Sequence, residues 1–457
     1  MKRIKPFPEK SNVLLVGGGA REFAAAKKMK ESIQHEIELY SWANTSNPGI
    51  EALSKEMKIG RNYPDIADFA RKRNIGLAFI GPEEPAKYGV VDDLRDKCGI
   101  PTVGLTKNLA RLETSKSFTR KLLEKYDIPG NPKFKIFETM EGIEEYLDEN
   151  APVVLKPNGL TGGKGVQVQG EHFKTVVEAL EICQEILNEH DSIVIEEKLE
   201  GEEFSLQFLC DGITIVPNPP VRDYKRRLNG DKGVNTGGMG SYSCANHLLP
   251  FITKDDLNQA YYIAKKTVEA LYEEAKDLYT GVLYGGFMVT ANGVKLIEFN
   301  VRFGDPEAIN VLSTLETDFM EICWAMASPE IYGGLDQLNI KFKPIATVVK
   351  YVVPTNYAVK DAKLFTNKPS LIRINDLERA KLYYSLVERN KVGFHMTYSR
   401  AVAILGTGHT LAEAEKIAER GVQGISGAIA YRSDIGTAAS IEKQTRHMEE
   451  LRKQIIL

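Results

Sequence analysis

Residues 293–307 read Gly293-Val294-Lys295-Leu296-Ile297-Glu298-Phe299-Asn300-Val301-Arg302-Phe303-Gly304-Asp305-Pro306-Glu307. In a β-strand, successive side chains point to opposite faces of the sheet. One face would carry four apolar side chains, those of Ile297, Phe299, Val301 and Phe303. The other face would carry Leu296, Glu298, Asn300 and Arg302. The pattern predicts a strand that aligns a carboxylate, a carboxamide and a guanidinium, although a half-exposed strand with a solvated polar face shows the same alternation.

A second β-rich run, residues 282–290, lies just upstream of this stretch. The intervening Ala291-Asn292-Gly293 is a signal for a tight hairpin. A stiff hairpin that directs hard oxygen atoms and one fixed cation to the same place suits a phosphate group bound together with magnesium. We therefore expect a phosphate and metal site on the polar face of this hairpin.

The composition of the 457-residue chain is that of an ordinary globular protein, and this length predicts about three domains. The net charge of -3 gives no indication of a surface for nucleic acid or for an anionic membrane. The five cysteines are scattered and form no CxxC pair, so we expect reduced thiols. The sequence shows neither a signal-peptide pattern nor an apolar run long enough to span a bilayer. We expect a cytoplasmic protein with small-molecule substrates and without nucleic-acid or membrane partners.

The N-terminal region has the pattern of a doubly wound α/β domain, which should span residues 1–108. A buried strand at residues 13–16 ends in Gly17-Gly18-Gly19, and a helical pattern follows at 21–33. Further strands are expected at residues 37–40, 77–80 and 102–103. The dinucleotide fingerprint needs a third glycine at position 22, where the chain has Glu22, so we expect no nicotinamide cofactor. The glycine turn could bind a phosphate of a smaller ligand, or it could simply be a tight connection.

A glycine-rich loop lies at the centre of a small α+β subdomain that we expect at about residues 131–200. Lys156 ends a strand, and the loop that follows contains Gly162, Gly163, Lys164 and Gly165. Backbone N–H groups and lysine ammonium groups in such a loop can surround a triphosphate. The loop is not a Walker A motif, because no GxxxxGK[ST] run leads into a helix. A flexible hairpin without a ligand is the alternative, but lysines among glycines are poor choices for a mere turn.

Two further segments place polar residues near this loop. Residues 195–206 have the pattern of a strand, an acidic turn and another strand. The backbone of this segment could bind adenine while Glu203 holds the ribose hydroxyls. A solvated acidic turn without a ligand has the same pattern. Residues 218–243 form a long glycine-rich segment, which is more often a binding loop than a simple connection.

Composition shifts toward glycine and proline around residues 329–344. The second domain should therefore span residues 109–335, and a small C-terminal α+β domain residues 336–457.

Together these segments resemble the ATP-grasp ligases, and more narrowly the archaeal-type phosphoribosylamine–glycine ligase (glycinamide ribonucleotide synthetase) family. The similarity runs nearly end to end. It includes Gly17-Gly18-Gly19-Ala20-Arg21-Glu22, Ser46-Asn47-Pro48-Gly49-Ile50, Ile80-Gly81-Pro82-Glu83, residues 156–166, Asn235-Thr236-Gly237-Gly238-Met239-Gly240, residues 297–300 and 302–307, and Arg432-Ser433-Asp434-Ile435-Gly436. The resemblance implies an ATP-grasp fold between the N-terminal doubly wound domain and the C-terminal α+β domain.

The resemblance also implies roles for individual residues. ATP phosphates should contact Lys116 and Lys156 beneath a lid of Gly162, Gly163, Lys164 and Gly165. Adenine should lie along Glu196, Glu197, Lys198 and Leu199, with the ribose on Glu203. Glu298 and Asn300 should bind Mg²⁺ or Mn²⁺. The acyl-phosphate and amino-substrate side should include Asn235, Thr236, Gly237, Gly238, Arg302, Gly304 and Asp305, and the catalytic set should be Arg302, Asp305 and Lys156. Other expected substrate-binding residues are Gly19, Arg21, Glu22, Pro82, Glu83, Asp223 and Lys225.

The implied reaction joins glycine to 5-phosphoribosylamine through a glycyl phosphate, with ATP converted to ADP and phosphate. The chain departs from the family pattern at Phe23, Asn158, Tyr224, Val234 and Gly286. The first three of these motivate an alternative, a diverged ATP-grasp ligase that acts on a different amine. A non-catalytic nucleotide-binding homologue is a second alternative, and the presence of Lys156, Glu298 and Asn300 counts against it. The Asn-Thr-Gly-Gly-Met-Gly run argues against a biotin-dependent carboxylase, and we expect a monomer or a small homo-oligomer.

Overall fold

The computed structural model describes residues 5–160, 165–359 and 370–454. The N-terminal strands are β1 (Lys10–Val16), β2 (Glu36–Ala43), β3 (Glu56–Ile59), β4 (Leu77–Ile80) and β5 (Thr102–Val103). The helices of this region are α1 (Ala20–Lys30), α2 (Pro48–Leu53), α3 (Asp65–Lys72), α4 (Glu84–Lys87) and α5 (Val90–Asp92), followed by a π-helical turn at Asp93–Lys97.

These strands form one sheet in the order β3-β2-β1-β4-β5, with every neighbouring pair parallel. The chain builds the sheet in one direction from β1 to β3 and then in the other from β4 to β5. The strand order therefore reverses between β1 and β4, and a ligand crevice forms at such a reversal. The prediction of a doubly wound parallel sheet is confirmed, and the turns after β1 and β4 lie beside each other.

The segment between the N-terminal sheet and the glycine-rich loop begins with two short helices, α6 (Arg111–Thr114) and α7 (Lys116–Lys125). Ser115 has an extended backbone and separates the two helices. Its hydroxyl accepts a hydrogen bond from the Phe118 N–H (3.2 Å), as an N-cap residue does. Lys116 is consequently the first residue of α7.

The small subdomain contains β6 (Phe134–Phe137), α8 (Ile143–Asn150), β7 (Val153–Pro157), β8 (Gln167–Val168), α9 (Val176–Glu189) and β9 (Ile193–Glu197). Its strands form an antiparallel sheet in the order β6-β9-β7-β8. Apolar residues of both helices pack on this sheet and form a separate core. The strand that was predicted to end at Lys156 is β7, which ends one residue later at Pro157. Gly162, Gly163 and Lys164 lie outside the described residues, so their role as a lid stays a prediction.

The following segment contains β10 (Glu202–Asp211), β11 (Ile215–Pro217), β12 (Arg222–Asp223), β13 (Arg226–Leu228), β14 (Lys232–Asn235), β15 (Gly240–Ser243), α10 (Lys254–Ala275), β16 (Thr280–Thr290), β17 (Gly293–Asn300), α11 (Glu307–Thr314), α12 (Phe319–Ala327) and α13 (Pro329–Tyr332), with a 3₁₀ turn at Leu335–Gln337. A four-stranded sheet has the order β11-β10-β16-β17. The predicted hairpin is therefore present as β16 and β17, and its turn is residues 291–292.

A β-bulge in this hairpin corrects the predicted division of faces. Gly286 pairs with Glu298, but the next residue of β16, Phe287, pairs with Leu296, which leaves Ile297 as the extra residue. Leu296 consequently belongs to the buried core, whereas Ile297 lines the cleft described below. Both assignments were wrong. Glu298 and Asn300 still share a face because the bulge lies before them, and the strand ends at Asn300 rather than at Phe303.

The C-terminal region contains β18 (Ala346–Pro354), β19 (Ser370–Ile374), β20 (Lys381–Tyr384), β21 (Val387–Arg389), β22 (Phe394–Met396), β23 (Val402–Gly408), α14 (Leu411–Gln423), β24 (Ile425–Gly427), β25 (Ile429–Ala430) and α15 (Ala438–Lys453). One sheet has the order β12-β15-β18-β23-β20, so it joins strands from both sides of residue 335. Among the described residues, none of the helices combines the length and apolarity needed to cross a bilayer.

Candidate active site

A cleft of about 1180 Å³ lies where the glycine-loop subdomain, the β10–β17 sheet and the C-terminal region meet. Most of the predicted site residues line it. These are Arg21, Glu83, Lys116, Lys156, Glu196, Glu197, Lys198, Leu199, Glu203, Asp223, Lys225, Asn235, Thr236, Gly237, Glu298, Asn300, Arg302, Gly304 and Asp305. Five predicted residues are described but lie outside its lining: Gly19, Glu22, Pro82, Gly165 and Gly238.

A buried ionic network fixes one of the two phosphate lysines. The Lys156 ammonium donates to Glu196 Oε2 (2.7 Å) and to the Ile297 carbonyl oxygen (3.1 Å). Arg120 donates to the same carboxylate with Nε (2.7 Å to Oε1) and Nη2 (2.9 Å to Oε2). Burial alone would raise the pKa of Glu196, but Arg120 and Lys156 hold it below its ordinary value. The Glu196 side chain is therefore committed to these cations, and its backbone lies within β9, which pairs with β6 on one side and β7 on the other.

The backbone of the predicted adenine segment is also partly engaged. The Glu197 N–H donates to the Lys133 carbonyl oxygen (2.9 Å), and the Lys198 N–H donates to that of Pro152 (2.9 Å). These bonds fix the segment relative to the small sheet. A base bound here would have to use other backbone groups, for instance those of Leu199.

Lys116 lies on the first turn of α7 and reaches the start of the glycine-rich loop. Its ammonium donates to the Gly159 carbonyl oxygen (2.7 Å). Burial lowers its pKa, as does the positive charge of Lys156, while Glu298 opposes them. Lys116 is half-buried, whereas Lys156 is buried and paired with Glu196, and the Glu298 carboxylate acts on both ammonium groups. The positive charge of these lysines favours the binding of an anionic ligand in the cleft.

Glu298 and Asn300 have the chemistry of a site for a hard divalent cation. Burial would raise the pKa of Glu298, but Lys225, Lys156 and Lys116 together hold it below its ordinary value. Across the described residues, nothing forms a direct hydrogen bond with this carboxylate, whereas Asn300 Oδ1 accepts from Arg302 Nη2 (3.1 Å). No group of three or more His, Cys, Asp or Glu residues in the described ranges could hold a metal. Two protein oxygens plus phosphate and water oxygens is the usual set for Mg²⁺, so these residues fit the ion.

Arg302 is held between two carboxylates. Its Nε donates to Glu83 Oε2 (3.1 Å), and its Nη2 lies 3.1 Å from Glu113 Oε1. The other Glu113 oxygen accepts from the Val301 N–H (2.6 Å). Against burial, Arg302 and Arg21 hold the pKa of Glu83 at about 2, whereas burial raises that of Glu113 to about 7. The guanidinium that follows the metal-ligand candidates is therefore fixed from both sides.

Asp223, Glu203 and Glu307 form an acidic part of the cleft around Lys225 and Arg222. Lys225 donates to Glu203 Oε2 (3.0 Å), and this ion pair holds the pKa of Glu203 down and that of Lys225 up against burial. Burial raises the pKa of Asp223, and it raises that of Glu307 to about 7. Glu203 was expected to hold ribose hydroxyls, and in this structure one of its oxygens is engaged by Lys225.

The glycine turn after β1 is filled by the chain's own carboxylate. Glu22 Oε2 accepts from the Gly19 N–H (2.8 Å), and Oε1 accepts from Arg21 Nε (2.6 Å). A Cβ added at Gly17 or Gly81 would lie 2.5 Å or 2.3 Å from Glu22 Cγ, so both glycines make room for this side chain. Glu22 thus takes the place at the N-terminus of α1 where an external anion would bind.

The three departures that motivated a different amine substrate each have defined partners. Phe23 packs on the rings of Tyr383 and Tyr384, with ring centroids 5.9 Å away in both cases. Asn158 Oδ1 accepts from the Ser117 N–H (3.2 Å) at the start of α7. The Tyr224 hydroxyl lies 2.9 Å from Ser440 Oγ. Phe23 and Tyr224 join the C-terminal region to the rest of the chain.

Four functional candidates were missed from the sequence: Glu113, Arg120, Gln207 and Arg400. The first two lie on α6 and α7, where a charged side chain is usually solvated. Gln207 Oε1 accepts a hydrogen bond from the Gly304 N–H (2.7 Å), so that N–H already has a partner within the protein. Arg400 comes from the C-terminal region and reaches Asp305. No local signal identifies these residues, because their partners are distant in sequence.

Two family models match consecutive segments of the chain. The N domain of phosphoribosylglycinamide synthetase matches residues 11–113, and its ATP-grasp (A) domain matches residues 114–308. The chain belongs to the phosphoribosylglycinamide synthetase family. Relatives in this family include the phosphoribosylamine–glycine ligase of Methanocella arvoryzae, 43% identical over 446 residues that cover 96% of this chain and 99% of the relative. The ligase of Pyrococcus abyssi is 43% identical over 448 residues, covering 97% of this chain and 98% of the relative.

Solved structures show the same architecture. The phosphoribosylamine–glycine ligase of Thermotoga maritima is 25% identical with a TM-score of 0.76, covering 93% of this chain and 99% of that chain. A biotin carboxylase from Campylobacter jejuni, in a beta-gamma-ATP complex, is 14% identical with a TM-score of 0.71, covering 96% of this chain and 98% of that chain. The second likeness concerns the fold alone. The predicted ATP-grasp fold and family membership are confirmed.

Proposed function

We propose that this chain is an ATP-dependent ligase that joins glycine to 5-phosphoribosylamine and releases glycinamide ribonucleotide, ADP and phosphate. Membership of the family supports the reaction, as do the full-length relatives named phosphoribosylamine–glycine ligase. The observation that carries the proposal is the cleft itself. It combines Lys116, Lys156 and Arg302 with Glu298 and Asn300, which is the charge distribution that phosphoryl transfer to a carboxylate needs.

The first step transfers the γ-phosphoryl group of ATP to the carboxylate of glycine. This transfer needs alignment and charge neutralisation more than covalent participation by the protein. Lys116 and Lys156 would bind phosphate oxygens, and Arg302 would neutralise charge on the acyl side. Glu298 and Asn300 would hold a Mg²⁺ or Mn²⁺ ion, which when bound supplies further charge neutralisation at the phosphate oxygens.

The second step is attack of the amine on the glycyl phosphate. The amine nitrogen forms a bond with the acyl carbon, the C–O bond to phosphate breaks, and the nitrogen loses a proton. Asp305 and residues 235–237 would line the acyl side, where Arg400 bonds to both loops. A glycyl phosphate reacts readily with water, so exclusion of solvent by the glycine-rich loop would protect it.

The test is a coupled assay of ADP release with freshly generated phosphoribosylamine. ADP release should require both glycine and the amine, and product should match ADP in amount. Each substrate is omitted in turn, and a panel of other carboxylates and amines is run beside them. ADP release that is indifferent to glycine contradicts the proposal. Turnover restored only by another amine would instead support the diverged ligase that Phe23, Asn158 and Tyr224 suggested.

A further inference from the structure

Arg400 precedes β23 in the C-terminal region and extends into the cleft between two loops. Its Nη1 donates to the carbonyl oxygens of Asp305 (2.8 Å) and Gly238 (3.1 Å), and also to that of Gly237. Its Nη2 donates to Asp305 Oδ2 (3.0 Å). One guanidinium therefore joins the loop at residues 235–240 to the turn at residues 304–307.

Tyr351, on β18, contacts both Asp305 and Arg400. Its hydroxyl donates to Asp305 Oδ1, so each oxygen of the Asp305 carboxylate has its own donor. The Arg400 guanidinium carbon also lies 4.4 Å from the centroid of the Tyr351 ring, within the range of a cation–π interaction. The side chains of Arg400 and Asp305 are only 14% and 13% exposed, which restricts their movement.

The two glycines of the Asn-Thr-Gly-Gly run make room for Arg400. A Cβ added at Gly237 would lie 3.3 Å from Arg400 Cζ, and one at Gly238 would lie 3.4 Å from Nη1 and 2.8 Å from Pro306 Cδ. Gly238 also has a φ of +106°, which side-chain-bearing residues rarely adopt. These glycines therefore let the backbone carbonyls approach the guanidinium, which accounts for their presence without any contact to substrate.

We propose that Arg400 is a positioning residue for the amino-substrate half of the cleft, acting through Asp305 and the 235–240 loop. The inference rests on the proposed function, since it assigns that half of the cleft to the acyl and amine groups. Lysine cannot replace arginine here, because an ammonium lacks the planar fork that reaches several carbonyls and a carboxylate at once. Lys116 and Lys156, the proposed phosphate-binding lysines, lie on α7 and β7 and bond to Gly159, Glu196 and Ile297 rather than to Arg400 or its partners.

The experiment compares wild type with Arg400→Lys, Arg400→Ala and the control Arg389→Ala. Arg389 is an exposed residue of the same region, with its guanidinium 5.8 Å from the Phe394 ring centroid. For both Arg400 variants, kcat/KM for glycine should fall about 10²-fold, the scale of a 1 Å misplacement in an active site. The Kd for ADP should stay within about twofold, because the nucleotide contacts are unchanged. Guanidinium ion added to Arg400→Ala should restore part of the glycine-dependent rate.

Three outcomes would overturn this inference. The first is a kcat/KM for glycine in the Arg400 variants within about threefold of that of Arg389→Ala. The second is a loss of ADP affinity as large as the loss of kcat/KM for glycine. The third is a glycine-dependent rate of Arg400→Ala that guanidinium ion leaves unchanged. If Arg400→Ala does not fold, Arg400→Lys alone decides, with ADP affinity as the internal reference. Failure of the proposed function is seen separately, as wild type that shows no glycine-dependent ADP release. In that case the same variants are compared with the carboxylate and amine that the panel identifies.

Discussion

Replacement of Arg120 by methionine tests the buried network that fixes Lys156. Arg120 is 2% exposed, and besides the two bonds to Glu196 its Nη2 donates to the carbonyl oxygens of Ile297 (2.8 Å) and Leu296 (3.2 Å). Methionine fills a similar volume without any donor. The Glu196 carboxylate and the Ile297 carbonyl oxygen would each keep only Lys156, and the Leu296 carbonyl oxygen beside the bulge would lose the Arg120 donor. Removing one member of a buried ion pair costs about 3–5 kcal/mol.

The measurement is native-state hydrogen exchange on peptides that cover β9 and β17. A loss of about 3–5 kcal/mol in local stability corresponds to an opening constant raised roughly 10²- to 4 × 10³-fold, which appears as faster exchange there. Lys121→Met is the matched control, because Lys121 is an exposed residue of the same helix and should change stability by less than about 0.5 kcal/mol. Exchange in β9 and β17 within about threefold of this control would refute the argument that Arg120 holds the two strands together.

Three further predictions concern other parts of the cleft. Burial raises the pKa of Glu113 to about 7, so folding takes up a proton and the stability of the wild type should fall as the pH rises from 5 to 7. In Glu113→Gln the Tm should decline less over the same pH range. An identical decline in both proteins contradicts the prediction. Glu298→Gln should lower kcat about 10²-fold and abolish Mn²⁺ binding seen by electron paramagnetic resonance, whereas the exposed Glu269→Gln should change neither. Gly81→Ala brings a Cβ within 2.3 Å of Glu22 Cγ. This variant should have a higher KM for the amine and lose about 1–3 kcal/mol of stability. The control Gly76→Ala should be tolerated, because the atoms nearest to its Cβ lie at 3.8 Å.

Local patterns predicted the scaffold of the site. The glycine turn after a buried strand predicted the parallel N-terminal sheet, and the alternation around Glu298 predicted the hairpin that presents Glu298 and Asn300 together. Both follow from the periodicity of a strand, which depends on neighbouring residues only. The bulge at Ile297 could not be predicted, because it is a property of the pairing with β16. Its consequence was the wrong faces assigned to Leu296 and Ile297.

The contacts that fix the site could not be predicted from the sequence. Arg120 reaches Glu196 across 76 residues of chain, and Arg400 reaches Asp305 across 95. A charged side chain on a helix or at a strand end has no local feature that distinguishes a buried partner from solvent. The same limit applied to Glu196, whose position in the sequence suggested contact with adenine while its side chain pairs with Lys156. Tertiary structure alone decides such cases.

The central claim is that Glu298 and Asn300 hold a divalent ion against the triphosphate in the cleft beside Lys116 and Lys156. A crystal structure with Mn²⁺ and a non-hydrolysable ATP analogue tests it most directly, because manganese is located by its anomalous scattering. We predict one anomalous peak in contact with Glu298, Asn300 and phosphate oxygens, with both lysines on the phosphates. A peak away from Glu298 and Asn300, or a nucleotide outside this cleft, would contradict the account.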